Sequence, residues 1–228
     1  RVCVSDTVGH ATPEGAARLI RFIREVVDAT GEKVGVDWHG HRDRDLAVAN
    51  ALAAILAGAD RVHGTILGIG ERVGNAPLDL ILVNLKLLGW LDVDLTPLPE
   101  YAELVSRACK VPLPYNYAVL GRDAFRTTTG VHAAAVIKAQ KKGHAWLADR
   151  VYSSVPAGLL GLKQIIDVGP MSGESNVIHW LTTHGHEPER PLVEHLFRLA
   201  KTRETTMTDD ELSAAVRDFR AQRGASVG

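Results

Sequence analysis

The sequence predicts an α/β fold in which three βα units are followed by a mostly helical region. Three observations predict it. A β-branched segment, a polar loop and a helix that stops near glycine recur three times in the first ninety residues. The residue types suited to chemistry cluster in the loops after those strands, where barrels and open parallel sheets place their active sites. Beyond Trp90 the rhythm ends, and Thr96-Pro97-Leu98-Pro99 introduces helix-prone sequence.

In the first unit, residues 2–4 form a short strand that leads into Ser5-Asp6-Thr7-Val8-Gly9. Thr12-Pro13 then supplies a helix cap and a first-turn proline, because proline lacks only an N–H that a helix start leaves unpaired. The helix is expected to run to about Gly31. Leu19, Ile20, Phe22, Ile23, Val26 and Val27 recur near the helical period and are expected to form one stripe buried against a sheet.

The second unit places its strand at residues 34–38 and an alanine-rich helix at 45–56, closed by Gly58. The third has a strand at 61–65 and a helix at 77–88, so rich in leucine on several sides that both faces are expected to be covered. Downstream, helices are expected at about 100–109, 132–141, 175–183, 188–201 and 209–222. The last opens on a Thr208 to Glu211 capping box. Three units cannot close a barrel of eight, so the sheet is either open or preceded by five further units. The start at Arg1, without methionine and inside a strand, favours the second.

A chain of 228 residues has ample sequence for a sizeable core. Its 26 basic and 27 acidic residues leave a formal charge of −1, so no global field invites nucleic acid or an anionic membrane. Cys3 and Cys109 lie far apart with no second pair, which fits a reducing, cytoplasmic setting better than a disulfide scaffold. No signal peptide is visible, and the apolar stretch at 78–88 is too short to span a bilayer.

His39-Gly40-His41 and Asn75 carry the most chemistry. Alternate residues of a strand share a face, so His39 and His41 can grip one ion between them. An isolated His-x-His is also what two strand histidines give when they merely hydrogen-bond. Asn75 ends the loop Gly68-Ile69-Gly70-Glu71-Arg72-Val73-Gly74-Asn75 just before Pro77, which brings an amide oxygen to the same lip. Imidazole and amide donors suit a divalent cation, usually completed by a carboxylate that is not evident here. Glu71 and Arg72 are either a solvated pair or, between Gly70 and Gly74, groups that orient substrate. Thr7 either shapes a turn or holds a substrate carboxylate. His132 and Tyr152 are ambiguous when taken alone. The segment 170–176 is either a capping turn or a helix start suited to an anionic group such as a nucleotide phosphate.

Taken together, Ser5-Asp6-Thr7-Val8-Gly9, His39-Gly40-His41-Arg42-Asp43, Gly64-Thr65 with the loop 68–75, and Thr129-Gly130-Val131-His132 resemble the 2-isopropylmalate synthase and homocitrate synthase family of the DRE-TIM metallolyase superfamily. The motifs stand in the family's order from Arg1 to at least Trp180. The resemblance implies that residues 1–90 are the C-terminal part of a (β/α)8 TIM barrel, units six to eight, and that 91–228 are mostly helical linker and C-terminal subdomains. It implies a divalent ion (Mg2+, Mn2+ or Zn2+) held by His39 and His41 with Asn75 at or next to it, Thr7 on a 2-oxo acid, and Glu71 supporting the site. His132 and Tyr152 match residues of a helical subdomain that, in the family, reaches into the neighbouring protomer of a homodimer, with His132 the leading base. The implied reaction is a Claisen condensation of acetyl-CoA with a 2-oxo acid, most similar to the 2-isopropylmalate synthase of leucine biosynthesis acting on 2-oxoisovalerate. Homocitrate or citramalate synthesis, a retro-aldol lyase on the same barrel, and a subunit of a split enzyme are the alternatives. The chain departs from the family pattern at Arg42, Asp45 and Thr127, where the family usually has Asn, Gly and His. It also lacks the family's first strand with its Arg, Asp and Glu, so the fragment alone is expected to be inactive.

Overall fold

The computed structural model describes residues 1–225, and the chain divides into two compact units, Arg1–Gly121 and the remainder from Arg122. Residues 91–121, including a helix at Leu98–Cys109, therefore group with the sheet.

In the first unit the chain runs through β1 (Val2–Asp6), α1 (Pro13–Asp28), β2 (Val36–Gly40), α2 (Ala47–Leu56), β3 (Arg61–His63), α3 (Leu78–Leu87) and α4 (Leu98–Cys109). The three strands pair in parallel in the order β1-β2-β3, with Ser5 opposite His39 and His39 opposite His63. Alternation along them sorts the side chains by face. Val4, Val36 and Trp38 pack against Ala16, Ile20 and Val27 of α1, Ala47, Ala51 and Ala54 of α2, and Ile81 of α3. The alanines of α2 let it lie close to its neighbours. The opposite face carries Cys3, Ser5, Asp37, His39, Arg61 and His63, a row of polar groups.

Helix α1 starts as the sequence predicts: the Thr12 hydroxyl accepts the Gly15 N–H at 3.2 Å and Pro13 occupies the first turn. The expected apolar stripe is corrected. Ile20 and Val27 are buried and Ile23 partly so, but Leu19, Phe22 and Val26 are 43%, 58% and 50% exposed. Spaced three and four residues apart, they form a second face that no described element of the unit covers. Strand β2 begins two residues later than expected and contains His39 and Gly40, because it is paired on both sides. Strand β3 stops at His63, since the Thr65 N–H turns to the Ala76 carbonyl of the returning loop at 3.1 Å. Helix α3 is covered on several sides only over its first two turns, and Leu87 and Leu88 are exposed.

In the second unit, β4 (Arg126–Thr127) pairs in parallel with β5 (Ile165–Ile166), surrounded by α5 (Gly130–Lys141), α6 (Ala145–Ala148), α7 (Glu174–Thr183), α8 (Arg190–Lys201) and α9 (Asp209–Ala225). Val177, Trp180, Leu181, Leu192, Leu196, Leu212 and Val216 of α7, α8 and α9 form one core. The Thr208–Glu211 capping box is present: the Thr208 N–H donates to Glu211 Oε2 at 2.8 Å and the Glu211 N–H to the Thr208 hydroxyl at 3.3 Å. Both cysteines are free, and no helix among the described residues is long and apolar enough to cross a membrane.

Candidate functional site

The polar residues of the first unit meet where the three strands end. His39 points from the uncovered face of β2, and His41, one residue past the strand, is 9% exposed. Their ring centroids are 5.3 Å apart in an edge-on arrangement. The loop after β3 folds back against them: His41 and Asn75 form an isolated antiparallel bridge, the Arg42 N–H donates to the Gly74 carbonyl at 3.1 Å, and the Ala76 N–H to Gly40 at 3.0 Å. This return depends on two glycines. Gly74 adopts φ +111°, and a Cβ there would stand 1.8 Å from the Gly68 carbonyl oxygen. A Cβ on Gly70 would stand 2.1 Å from Asn75 Nδ2, so the missing side chain is the space the Asn75 amide fills. That amide nitrogen donates to the Ile69 carbonyl at 3.4 Å, leaving its oxygen outside that bond.

Two observations test whether a cation suits this place. The Nδ1 atom of His41 is buried without a hydrogen-bond partner, an expensive arrangement unless something binds it. Burial, and after it the neighbouring His41 and His63, push the His39 imidazole below its ordinary range. Its neutral form, the one that binds a metal, is thereby favoured. Both features fit a divalent ion. The donor set is nonetheless small: among the described residues, no three or more His, Cys, Asp or Glu side chains gather as a metal cage. His39, His41 and the Asn75 amide are the groups available.

Thr7 is exposed in the loop after β1, and its carbonyl accepts Arg72 Nη2 at 2.7 Å. Arg72 also grips Asp43 through Nε and Nη2 at 2.8 and 3.0 Å, which holds the Asp43 carboxyl below the usual range. Glu71, whose side chain is 87% exposed, approaches Arg72 only to 3.9 Å. His132 and Tyr152 belong to the second unit, where their ring centroids lie 4.2 Å apart with the planes tilted by 31° and both are exposed. The segment 170–176 is a turn and helix start with protein partners of its own: the Gly173 N–H meets Asn176 Oδ1 at 3.2 Å, and Lys201 of α8 caps the Pro170 and Ser172 carbonyls, each at 2.7 Å.

Four polar residues near the site were not singled out by sequence. Asp37 is buried, paired with Arg1 and Arg61 and 3.5 Å from His63 Nε2, and those two guanidiniums hold its carboxyl far below the usual range. His63 lies beside His39, ring centroids 5.7 Å apart. Strand alternation counted back from His39 and from Thr65 is the signal that would have placed both on the polar face. Asp79, fully buried, accepts the Leu67 N–H at 2.7 Å and the Tyr117 hydroxyl at 2.8 Å. Burial raises the pKa of both Asp79 and Tyr117. No local pattern pairs residues so far apart in sequence.

Residues 1–105 match the HMGL-like family model. Homocitrate synthase AksA of Methanopyrus kandleri is 36% identical over 98% of this chain and 54% of its own length. The (R)-citramalate synthase of Aquifex aeolicus is 39% identical over 86% and 36%, and a 2-isopropylmalate synthase of Bradyrhizobium sp. 34% identical over 93% and 40%. The chain thus spans about half the length, or less, of these curated relatives. Among solved structures, the N-terminal domain of a putative aldolase from Bacteroides vulgatus matches with a TM-score of 0.43 at 29% identity, over 47% of this chain and 34% of that one. Residues 1–105 thus match an HMGL-like domain within the first unit, and nearly the whole chain is similar to part of the homocitrate, citramalate and 2-isopropylmalate synthases.

Proposed function

We propose, from that similarity, that the chain is the C-terminal portion of an acyltransferase that condenses acetyl-CoA with a 2-oxo acid, most closely a 2-isopropylmalate synthase acting on 2-oxoisovalerate. The observation that carries the reading is the convergence of His39, His41 and Asn75 at one strand end, with a buried imidazole nitrogen left unpaired.

His39 and His41 through imidazole nitrogens, and Asn75 through its amide oxygen, would hold Mg2+, Mn2+ or Zn2+. The chemistry such an ion supplies when bound is polarisation of the 2-oxo group. Thr7 offers a hydroxyl at the same lip for the acid's carboxylate, and Glu71 and Arg72 flank it from the loop after β3. His132, in ring contact with Tyr152, is the base that removes a proton from the acetyl-CoA methyl group. The resulting carbon nucleophile forms a C–C bond to the ketone carbon, whose oxygen takes up a proton. Water then hydrolyses the thioester and releases free CoA and the alkylmalate-type product. The exposure of His132 and Tyr152 supports their action on a surface contributed by a second protomer.

The three parallel strands are proposed as units six to eight of a barrel. The free edge of β1 and the exposed Leu19, Phe22 and Val26 support the packing of a preceding βα unit there, whether in the same polypeptide or in a separately encoded partner. A cytoplasmic setting, supported by the two unpaired cysteines, belongs to the same proposal.

The test is CoA release from acetyl-CoA in the presence of a panel of 2-oxo acids, with the chain supplied with its upstream barrel units. Release that depends on 2-oxoisovalerate is expected. Release only with 2-oxoglutarate or pyruvate would move the assignment to homocitrate or citramalate synthesis, and no release with any acid would overturn it.

A further inference from the structure

We propose that Arg72 is a positioning residue: its guanidinium clasps the loops that follow β1, β2 and β3 and holds Thr7 and the His41–Asp43 corner in fixed relation. The geometry stands by itself, while its meaning for a 2-oxo acid rests on the function proposed above.

Each loop contributes one part. Arg72 comes from the loop after β3, Asp43 from the loop after β2, and the Thr7 carbonyl from the loop after β1. Two parallel bonds to the carboxylate, at 2.8 and 3.0 Å, fix the plane of the guanidinium, and the third, at 2.7 Å, aims the same Nη2 at a neutral backbone oxygen. An exposed ion pair is usually worth little because both side chains remain free to wander. Here the fork and the backbone acceptor remove that freedom, which sets this contact apart from an ordinary solvated pair. Only the Nη1 edge, 3.9 Å from Glu71, stays outside the three bonds.

The backbone is shaped for the same contact. Arg72 sits at φ +58°, a left-handed conformation that a residue with a Cβ rarely adopts. The turn around it is closed by the Gly74 N–H on the Glu71 carbonyl at 2.9 Å and by Arg42 Nε on the Val73 carbonyl at 2.6 Å. Beneath the clasp the first two loops touch at Gly9, where a Cβ would stand 2.7 Å from the Asp43 nitrogen and 2.8 Å from the His41 oxygen. A shift of Asp43 is therefore felt at both the histidine corner and the Thr7 turn.

Amide hydrogen exchange on the 228-residue chain tests this without any turnover. Asp43→Asn does not touch Thr7 directly, yet it should speed exchange at residues 6–9 by about tenfold, as should Arg72→Lys, which keeps the charge and loses the fork. Asp43→Glu, which keeps a carboxylate for the fork, should restore most of the protection. Strand β2 should be unaffected in all three variants. If Asp43→Asn and Arg72→Lys leave residues 6–9 at the parent rate, or if Asp43→Glu is no better than Asp43→Asn, the clasp is overturned and Arg72 is a solvated charge. Titration of the parent chain, supplied with its upstream barrel units, with 2-oxoisovalerate separates the two ideas. An absence of binding there counts against the proposed function and leaves the exchange result to decide the clasp.

Discussion

His41 in the first unit and His132 in the second sit in opposite surroundings. In the first, His41 is 9% exposed and keeps an unpaired ring nitrogen in the interior, and His39 is pushed toward its neutral form. In the second, His132 lies on the surface against a Tyr152 that is 47% exposed, with Val131 at 75% exposure beside it in sequence. A buried nitrogen without a partner calls for something small that enters the unit, whereas an exposed imidazole on an aromatic ring calls for a second surface. On the function proposed above, the same residue type would serve a cation in one place and docking in the other.

The largest expected effect breaks this contrast at the buried end. His39→Ala with His41→Ala should weaken binding of Mn2+ or Zn2+ by at least about 100-fold, beyond what losing a supporting partner costs, as measured by calorimetry. His132→Ala should leave that affinity unchanged. Equal losses from both variants would erase the distinction.

Next in size is the support beneath the site loop. Leu67 is held at φ +59° by its N–H bond to Asp79, and the adjoining Gly68 carbonyl accepts the Asn75 N–H at 2.9 Å. Asp79→Ala leaves a buried N–H and the Tyr117 hydroxyl unmatched and should cost about 2–3 kcal/mol in urea unfolding. Asp79→Asn keeps an acceptor and should cost less. The pH dependence has a definite sign. The folded-state pKa of Asp79 is raised by burial above its unfolded value, so its contribution to stability is full below about pH 4 and falls as pH rises through the folded value. The difference in stability between Asp79→Asn and the parent should therefore shift in favour of the variant over that window. A flat difference would show that the carboxyl ionises no differently in the two states.

The smallest effect sharpens the comparison from the surface. Phe22→Ser on the uncovered face of α1 should change the stability of the chain alone by less than about 0.5 kcal/mol. It should still weaken association with upstream barrel units if they pack there. Thermal denaturation and a pull-down with those units read the two quantities separately, and a large loss of stability in the isolated chain would mean the face is already covered.

Much of this was legible in the sequence, and the legible parts share a physical basis. Thr12-Pro13 and Thr208-Glu211 announce helix starts because the donors they satisfy lie within three residues. His39 and His41 share a site because pleating puts alternate residues on one face. The apolar period of α1 showed a helix but misjudged its burial, since a stripe records that a face is apolar and says nothing of what lies against it. Alternation from His39 and Thr65 places Asp37 and His63 on the polar face but not beside their partners, and nothing local marks Asp79 and Tyr117, whose partners stand on other elements.

The sequence by itself determined the order of strand and helix in the first ninety residues, the helix caps, the residues of the strand-end motifs and the proteins they resemble. Only the tertiary structure decided that β2 lies between β1 and β3, that Asn75 returns to His41, that Arg72 spans three loops, and that Leu19, Phe22 and Val26 are left uncovered. The physical reason is range. Caps, turns and alternation act within a few bonds along the chain, whereas pairing, charge contacts and burial depend on groups that the fold alone brings together.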